Sequence, residues 1–372
     1  MQTIVTHWQV PIISAAPTII ARTLADAPHA IDALQHTPVS VAGYFSYELA
    51  HLFEKLTHHA TNDLQLPLIA FAPENPHISG WRLKSPPQLH INPANLVSRS
   101  FDRDAFIHAV EKTIDYIRAG DIFQANVAQR FTFNTDASPH EVLLRLQQLN
   151  PARYGALLDF GDHAIISNSP ELFLDVSFLP DGRRKIVTRP IKGTRPLGVG
   201  MYEALRDSEK DKAELAMIVD LQRNDLGRVC EVGSVVVTEP RVIEKHPTLY
   251  HGVATIEGIL RPGVTLYDIL RATFPCGSIT GCPKIRAMQI IDELEPVTRG
   301  PYCGAVGWIH PDGTLQLNVA IRTIVMQNNL AHVSVGAGIV ADSVPEDEYD
   351  ETLVKAQAMF AALNAAQTSD PK

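Results

Sequence analysis

Acidic residues set in helical spacing are the first feature that could do chemistry. Glu348, Glu351 and Lys355 fall at i, i+3 and i+7, on one face of an amphipathic stretch at 345–363. Asp211 and Glu214 repeat the three-residue spacing in a second stretch, 209–222. Carboxylates three apart lie one above the other on a helix, so each helix can present a pair of hard oxygen donors. Two such helices could form an oxygen-ligated magnesium site, completed by water and substrate. A solvated face with a Glu–Lys pair fits the same spacing, and spacing alone leaves both readings open.

Lys192 lies beside a glycine in Pro190-Ile-Lys-Gly-Thr194. A lysine there is ordinarily a surface charge. It becomes a nucleophile only where burial or a cationic neighbour lowers its pKa and frees a neutral amine. Glu171 closes Asn168-Ser-Pro-Glu171. Desolvation would raise its pKa into the range of a general acid; otherwise it is a loop charge. Two glycine-rich stretches could receive anions. Phe274-Pro-Cys-Gly-Ser-Ile-Thr-Gly-Cys-Pro-Lys284 runs into a helix opened by Pro283, where free N–H groups suit a carboxylate or phosphate. It lacks the spacing of a P-loop. Val335-Gly-Ala-Gly-Ile339 lets a ligand approach the backbone of Gly336, Ala337 and Gly338. Tyr302 and Arg322 could serve either a ligand or the core. Taken singly, these features describe an anion-handling enzyme with an optional metal.

The elements that must carry these groups are clearest from residue 99 onward. Residues 103–118 form a helix capped by Asp102, with Phe106, Val110, Ile114 and Ile117 on one stripe and Gly120 as the stop. Residues 122–133 alternate as a strand. Phe123, Ala125, Val127, Phe131 and Phe133 face one side, and Gln124, Asn126, Arg130 and Thr132 the other. That pattern predicts one face on the core and one on water or a wet cleft. Further strands are expected at 155–160, 164–167, 172–176, 185–188 and 234–238, with helices at 209–222, 266–272 and 283–294. Residues 304–310, 315–325, 330–335 and 338–341 read as four more strands. Ser343-Val-Pro-Glu346 reads as a capping box for the last helix, with Pro345 in its first turn. Strands adjoin strands and helices come in blocks, so the class is α+β with large antiparallel sheets. The first 95 residues are proline-rich near their end (Pro67, Pro73, Pro76, Pro86, Pro87, Pro93), which predicts edge strands and irregular crossings. Gly43-Tyr-Phe-Ser-Tyr47 reads as a buried strand within them.

Composition sets outer bounds. Hydrophobic residues make up 45% and charged residues 20% of 372, as in a soluble protein with a substantial core. No apolar run approaches the roughly 20 residues that cross a bilayer. The opening Met1-Gln-Thr-Ile-Val-Thr-His-Trp8 has neither the basic start nor the apolar core of a secretory signal, so a cytoplasmic location is expected. Cys230, Cys276, Cys282 and Cys303 form no C-x2-C pair and read as reduced thiols. A net charge of −9 argues against nucleic acid, and it requires that an anionic substrate be met by local cations or a metal.

In order along the chain, these segments resemble the chorismate-utilising enzymes. The resemblance runs through Gly120-Asp-Ile-Phe-Gln-Ala-Asn126, Asn168–Glu171, Pro190-Ile-Lys-Gly-Thr-Arg195 and Met217-Ile-Val-Asp-Leu-Gln-Arg-Asn-Asp-Leu-Gly227. It continues through the Phe274–Lys284 loop, Ile285–Pro296, Val335–Ser343 and Glu351-Thr-Leu-Val-Lys355, covering roughly residues 99–365. The family fold is an α/β sandwich of large, mostly antiparallel sheets with helices outside. The resemblance implies a chorismate-binding catalytic core at 96–372, with a strand-rich segment 1–95 packed into the same fold. It implies Mg2+ ligated by Glu214 and Glu351, with Glu348 and Asp211 close by. It sets Tyr302, Arg322 and the backbone of Gly336, Ala337 and Gly338 around a carboxylate of chorismate, with Thr194 near the ring. Glu171 becomes the acid that assists departure of the C4 hydroxyl, and His251 matches an active-site histidine.

Two positions sort the branches of the family. Those that add water at C2 carry a lysine where this chain has Gln124. Anthranilate synthases typically have alanine at the position of Lys192. The Pro-Ile-Lys-Gly-Thr form resembles the aminodeoxychorismate synthase branch, in which the lysine amine attacks C2 and ammonia then attacks C4. Ammonia would come from a separate glutaminase subunit, because this length leaves no room for a fused glutaminase or lyase. Anthranilate synthesis and a catalytically silent chorismate-binding subunit are the competing readings. Cys276 and Cys282 replace a usual glycine and alanine, and Gly252 and Ala254 a usual leucine and serine; these changes bear on packing more than on charge.

Overall fold

Two large sheets account for most of the chain in this computed structural model, which describes residues 12–56, 59–74 and 95–364. Pro76, Pro86, Pro87 and Pro93 lie outside the described residues. The first sheet has eight strands. Its path runs Ile12–Ser14, Tyr154–Asp159, Ala164–Ser169, Thr323–Gln327, Leu330–Ile339, Gln124–Asn134 and Gly281–Cys282, and Asn95–Arg99 also pairs with Gln124–Asn134. The second has ten: Ile191–Pro196, Leu249–Ile259, Arg184–Arg189, Leu172–Phe178, Leu315–Val319, Ala305–Ile309, Val41–Phe45, Ile69–Pro73 and Ile19–Ala21, with Val236–Lys245 beside Leu249–Ile259. Among these strands the pairing is antiparallel except where Ile12–Ser14 runs parallel to Tyr154–Asp159.

Small and β-branched residues let the sheets meet face to face. Ala42, Tyr44, Ala70 and Val306 of the second sheet pack against Ala156, Leu158, Ile165 and Val325 of the first. Helices cover the outside. Arg103–Arg118, Pro139–Leu149 and Pro345–Ala362 lie on the first sheet, and Ala27–Gln35, Glu209–Gly227 and Leu266–Thr273 on the second. The α+β class with large antiparallel sheets expected from the pattern, and the sandwich implied by the resemblance, are the fold observed. No helix among the described residues is long and apolar enough to cross a membrane.

Four local expectations are corrected. The strand Gln124–Asn134 is buried on both faces, because it lies inside the first sheet and its polar side chains find partners. Gln129 donates to Thr352 Oγ1 at 2.7 Å and Thr132 Oγ1 lies 3.0 Å from His332 Nδ1, while Arg130 pairs with Asp63. Residues 315–325 are two strands rather than one. The chain leaves the second sheet after Val319, turns through Arg322 at a φ of 50°, and enters the first sheet at Thr323. The capping box at Ser343 does not form: Val344 takes the cap position, and the Ser343 hydroxyl donates to Glu348 Oε1 at 2.6 Å. Conversely, residues 330–335 and 338–341 belong largely to one strand, Leu330–Ile339, which continues through both glycines. Asp102 caps its helix as expected, accepting from the N–H of Ala105 at 2.8 Å.

Candidate active site

The candidate groups gather along the seam where strands change sheets. The strand Ala164–Ser169 of the first sheet passes through Pro170 and Glu171 into Leu172–Phe178 of the second. Its neighbour makes the reverse crossing through Arg322. Ser167 pairs with Thr323 on one side, and Leu172 with Asn318 on the other. The two crossings are tied by the N–H of Asn168 donating to Arg322 O at 3.0 Å and that of Val319 to Glu171 O at 3.1 Å. A carboxyl and a guanidinium are thus brought side by side.

Glu171 is 3% exposed. Burial pushes its carboxyl up to about 7, against the opposing pull of a Ser278 hydroxyl, Lys192 and Arg322. One of its oxygens, Oε1, is buried without a hydrogen-bond partner among the described residues. Behind Ser278 runs a buried polar relay. Thr188 Oγ1 donates to Gln222 Oε1 at 3.1 Å, Gln222 Nε2 donates to Cys276 Sγ at 3.2 Å, and that sulfur is 3.3 Å from Ser278 Oγ. Sequence reasoning missed this relay. The loop that reads as an anion cradle is folded inward: Gly277, Ser278 and Ile279 are buried, and Lys284 is taken by Asp225 at 2.6 Å.

Lys192 stands on a β-bulge. Ile191 pairs with Val253 and Thr194 with His251, so Lys192 and Gly193 together face the single residue Gly252. Gly193 supplies the positive φ of 81° that the bulge needs. A Cβ on Gly252 would lie 2.5 Å from the Lys192 carbonyl oxygen. The bulge turns the amine inward, to Nζ 3.8 Å from Glu214 Oε2. Burial pushes its ammonium below the usual lysine range; Glu214 opposes that shift and Lys355 adds to it. A Cβ on Gly338 would meet Gln124 Nε2 at 2.7 Å and Lys192 Nζ at 3.3 Å. The bare backbone of Gly338 is therefore what admits both groups. Gln124 Oε1 is buried with no hydrogen-bond partner among the described residues.

The remaining candidates fall around this centre. Thr194 Oγ1 and His251 Nδ1 are 2.9 Å apart, and burial together with Arg322 and His246 pushes the imidazole down to about 3, so it is neutral. The Tyr302 hydroxyl lies 3.1 Å from where a Cβ on Gly336 would be. Ala337 between the glycines is fully buried. The Arg322 guanidinium makes no hydrogen bond or ion pair with a described residue, and burial lowers its pKa while Glu171 raises it. Such a group suits a substrate carboxylate.

The acids approach the same region from two helices. Glu214 lies between Lys192 and Lys210, the latter at 4.0 Å. Glu351 pairs with Lys355 at 2.6 Å, and Lys355 Nζ also donates to Gly336 O at 3.0 Å. Burial raises the Glu351 carboxyl, but Lys355, Lys210 and Lys192 outweigh it and leave it below the usual range. Glu348 is raised by burial and by Glu351, against Ser343. Among the described residues no three His, Cys, Asp or Glu side chains form a group that could hold a metal ion. Asp211 is taken by Arg195 at 2.9 Å and accepts no part in the acid pair. The donor types suit a hard cation, since Glu214, Glu348 and Glu351 offer oxygens only, but the structure does not gather the three into one ligand group, and Lys192 and Lys355 stand against Glu214 and Glu351.

The description "chorismate binding enzyme" matches residues 15–361. The chain belongs to the chorismate binding family. It is 39% identical over 364 residues to anthranilate synthase component 1 of Thermus thermophilus, covering 88% of this chain and 78% of that protein. It is 44% identical to the component of that name from Pseudomonas aeruginosa, over 73% of this chain and 55% of that one. It is 42% identical to aminodeoxychorismate synthase component 1 of Bacillus subtilis, over 72% and 57%. The chain thus spans little more than half the length of the latter two. Among solved structures, anthranilate synthase component I from Streptococcus pneumoniae TIGR4 superposes with a TM-score of 0.77 at 30% identity, covering 89% of this chain and 84% of that one. The menaquinone-specific isochorismate synthase from Escherichia coli shares the fold, with a TM-score of 0.72 at 18% identity over 94% and 84%. This member of the chorismate binding family is therefore a chorismate-utilising enzyme.

Proposed function

We propose that this protein aminates chorismate at C4 to 4-amino-4-deoxychorismate, with Lys192 as a covalent nucleophile. The observation that carries the reading is the bulge: it buries the Lys192 amine over Gly338, beside Gln124 and Glu214, with its pKa lowered by desolvation. In the proposed sequence the neutral Lys192 amine forms a bond to C2 of the ring. The C4 hydroxyl leaves, taking a proton from Glu171, and is released as water. Ammonia then forms a bond to C4, the C2–nitrogen bond breaks, and Lys192 is regenerated. A tethered amine holds C2 closed to ammonia and sends it to C4. Arg322, the Tyr302 hydroxyl and the backbone of Gly336, Ala337 and Gly338 would hold a carboxylate, and Thr194 with the neutral His251 would border the ring. Glu214 and Glu351, with Glu348, would hold Mg2+, whose charge would bind and polarise substrate carboxylate oxygen.

The name component 1, borne by the Thermus and Bacillus relatives, supports a separate glutaminase as the source of ammonia. A second reading, amination at C2 to give anthranilate, is favoured by the several relatives that carry the anthranilate synthase name. Product analysis separates the two. With chorismate, Mg2+ and an ammonium salt, direct appearance of fluorescent anthranilate would overturn C4 amination. A product that yields 4-aminobenzoate only after a lyase is added supports it. Lys192→Ala is expected to lose most C4 product, by about 10²-fold or more, and an unchanged rate and product would remove Lys192 from the mechanism.

A further inference from the structure

The turn that joins Val236–Lys245 to Leu249–Ile259 stands over an open cavity of about 530 Å3. On its far side the cavity is framed by Pro151, Ala152 and Arg153, just ahead of the strand Tyr154–Asp159. This volume falls within the range of small-molecule clefts.

Two independent ties join the cavity to the candidate active site. His246, on its wall, meets His251 edge to face with ring centroids 5.0 Å apart, and His251 is the partner of Thr194. On the other flank, Thr248 Oγ1 donates to Asn150 Oδ1 at 2.8 Å, and Asn168 Nδ2 donates to Asn150 O at 2.7 Å. Asn168 in turn holds the Arg322 backbone. The cavity therefore neighbours the site through the His246 ring, which packs on His251, and its two rims are joined by the Thr248–Asn150 hydrogen bond.

Its charge runs against that of the molecule. Arg153 and Lys245 line it and form no ion pair with a described residue; Arg153 lies over the Tyr154 ring at 5.6 Å. The carboxylate on the wall, Glu244, is bound to Arg189 at 2.7 Å and lies 3.5 Å from His246 Nε2. On a chain of net charge −9, this leaves a locally positive cavity mouth. Clefts lined by one sign of charge concentrate oppositely charged ligands and raise their association rates.

We propose that this cavity is the vestibule through which a dicarboxylate ring acid reaches the site, with Arg153 and Lys245 as its electrostatic guides and His246 as the side chain it must pass. The proposal rests on the reading that the substrate is chorismate, but not on which carbon is aminated. The test is stopped-flow association of chorismate with the full-length, Mg2+-supplemented protein, comparing wild type with Arg153→Glu/Lys245→Glu. Ionic strengths of about 0.01 M and about 0.15 M set Debye lengths of about 30 Å and about 8 Å. At low salt the reversed-charge variant is expected to associate about tenfold more slowly. The gap should shrink at high salt, with kcat and product identity unchanged. Arg153→Gln/Lys245→Gln should lose about half as much on a logarithmic scale, which guards against misfolding of the first variant. Equal association rates at low salt, or a kcat that falls in step at both salts, would overturn the vestibule. Absence of any chorismate signal from wild type would overturn the substrate reading as well, whereas a signal indifferent to these charges sinks only this one.

Discussion

Glu171 keeps a proton near neutrality because burial costs its charged form more than Lys192 and Arg322 recover. As a proton donor it is competent below about 7 and loses that competence as pH rises through 7. In the proposed reaction Lys192 would impose the opposite limb, since its amine must shed a proton to attack. kcat is therefore expected to be bell-shaped in pH, and Glu171→Gln should lower it by about 10²–10⁴ while abolishing the alkaline limb. The same raised pKa works on stability. Its contribution is complete below the ordinary carboxyl value and is lost as pH rises through about 7, so the Gln variant should melt no lower than wild type at alkaline pH. A thermal melt alongside the rate profile checks both. Glu171 and Lys192 could be singled out as candidates only through the ordered motifs around them, and the structure buries Glu171 and turns the Lys192 amine inward. Ser278 and the relay through Cys276 and Gln222 were not legible, because their meaning depends on a loop folding inward, which local composition does not encode.

The Lys192 bulge and the strand Leu330–Ile339 must approach closely for the site to exist. Gly338→Ala would set a methyl 3.3 Å from Lys192 Nζ and 2.7 Å from Gln124 Nε2. The expected outcome is a loss of about 10²-fold in kcat from displacement of the amine. Circular dichroism should stay unchanged, since Gly338 has no positive φ to strain. Wild-type kcat in this variant would show that the amine has room to spare. Five helices were readable from periodicity, including the two that carry Glu214 and Glu351, whereas Ala27–Gln35, Pro139–Leu149 and Met201–Asp207 were not read. The break at Ala320–Arg322 was not, because no glycine or proline marks it; the alternation of apolar residues simply continues while the chain changes sheets. The false capping box failed because the Ser343 hydroxyl accepts from the N–H of Val340 at 3.1 Å and donates to Glu348, rather than accepting from a first-turn N–H.

At the scale of the molecule, one buried ion pair fastens several segments at once. Arg299 binds Glu295 at 2.9 and 2.6 Å, donates to the carbonyl oxygens of Ile279 and Asn126, and lies 4.7 Å over the Tyr47 ring. The backbone N–H groups of Arg299 and Gly300 donate to Glu48, at 2.7 and 3.0 Å. The 3-10 turn Tyr47–Leu52, the first-sheet strand Gln124–Asn134 and the Phe274–Lys284 loop thus share one knot. Arg299→Leu is expected to cost about 3–5 kcal/mol in denaturant unfolding, because it leaves Glu295 charged and unpaired. Arg299→Leu/Glu295→Leu should recover part of that loss. The α+β class was legible from the succession of strands and helices. The way the first strands complete the second sheet was not, since Val41–Phe45 pairs with Ala305–Ile309 across more than half the chain.

The paired crossings at Glu171 and Arg322 give the sandwich a property that neither sheet has alone. Each sheet is a stiff plate held by its own ladder, and these two residues sit on the threads that pass between the plates. A small slip of one plate over the other would alter the gap between acid and guanidinium before it broke a single ladder bond. The pocket thus behaves as a strain gauge for the whole body, and a ligand gripping both groups acts as a rivet through the two plates.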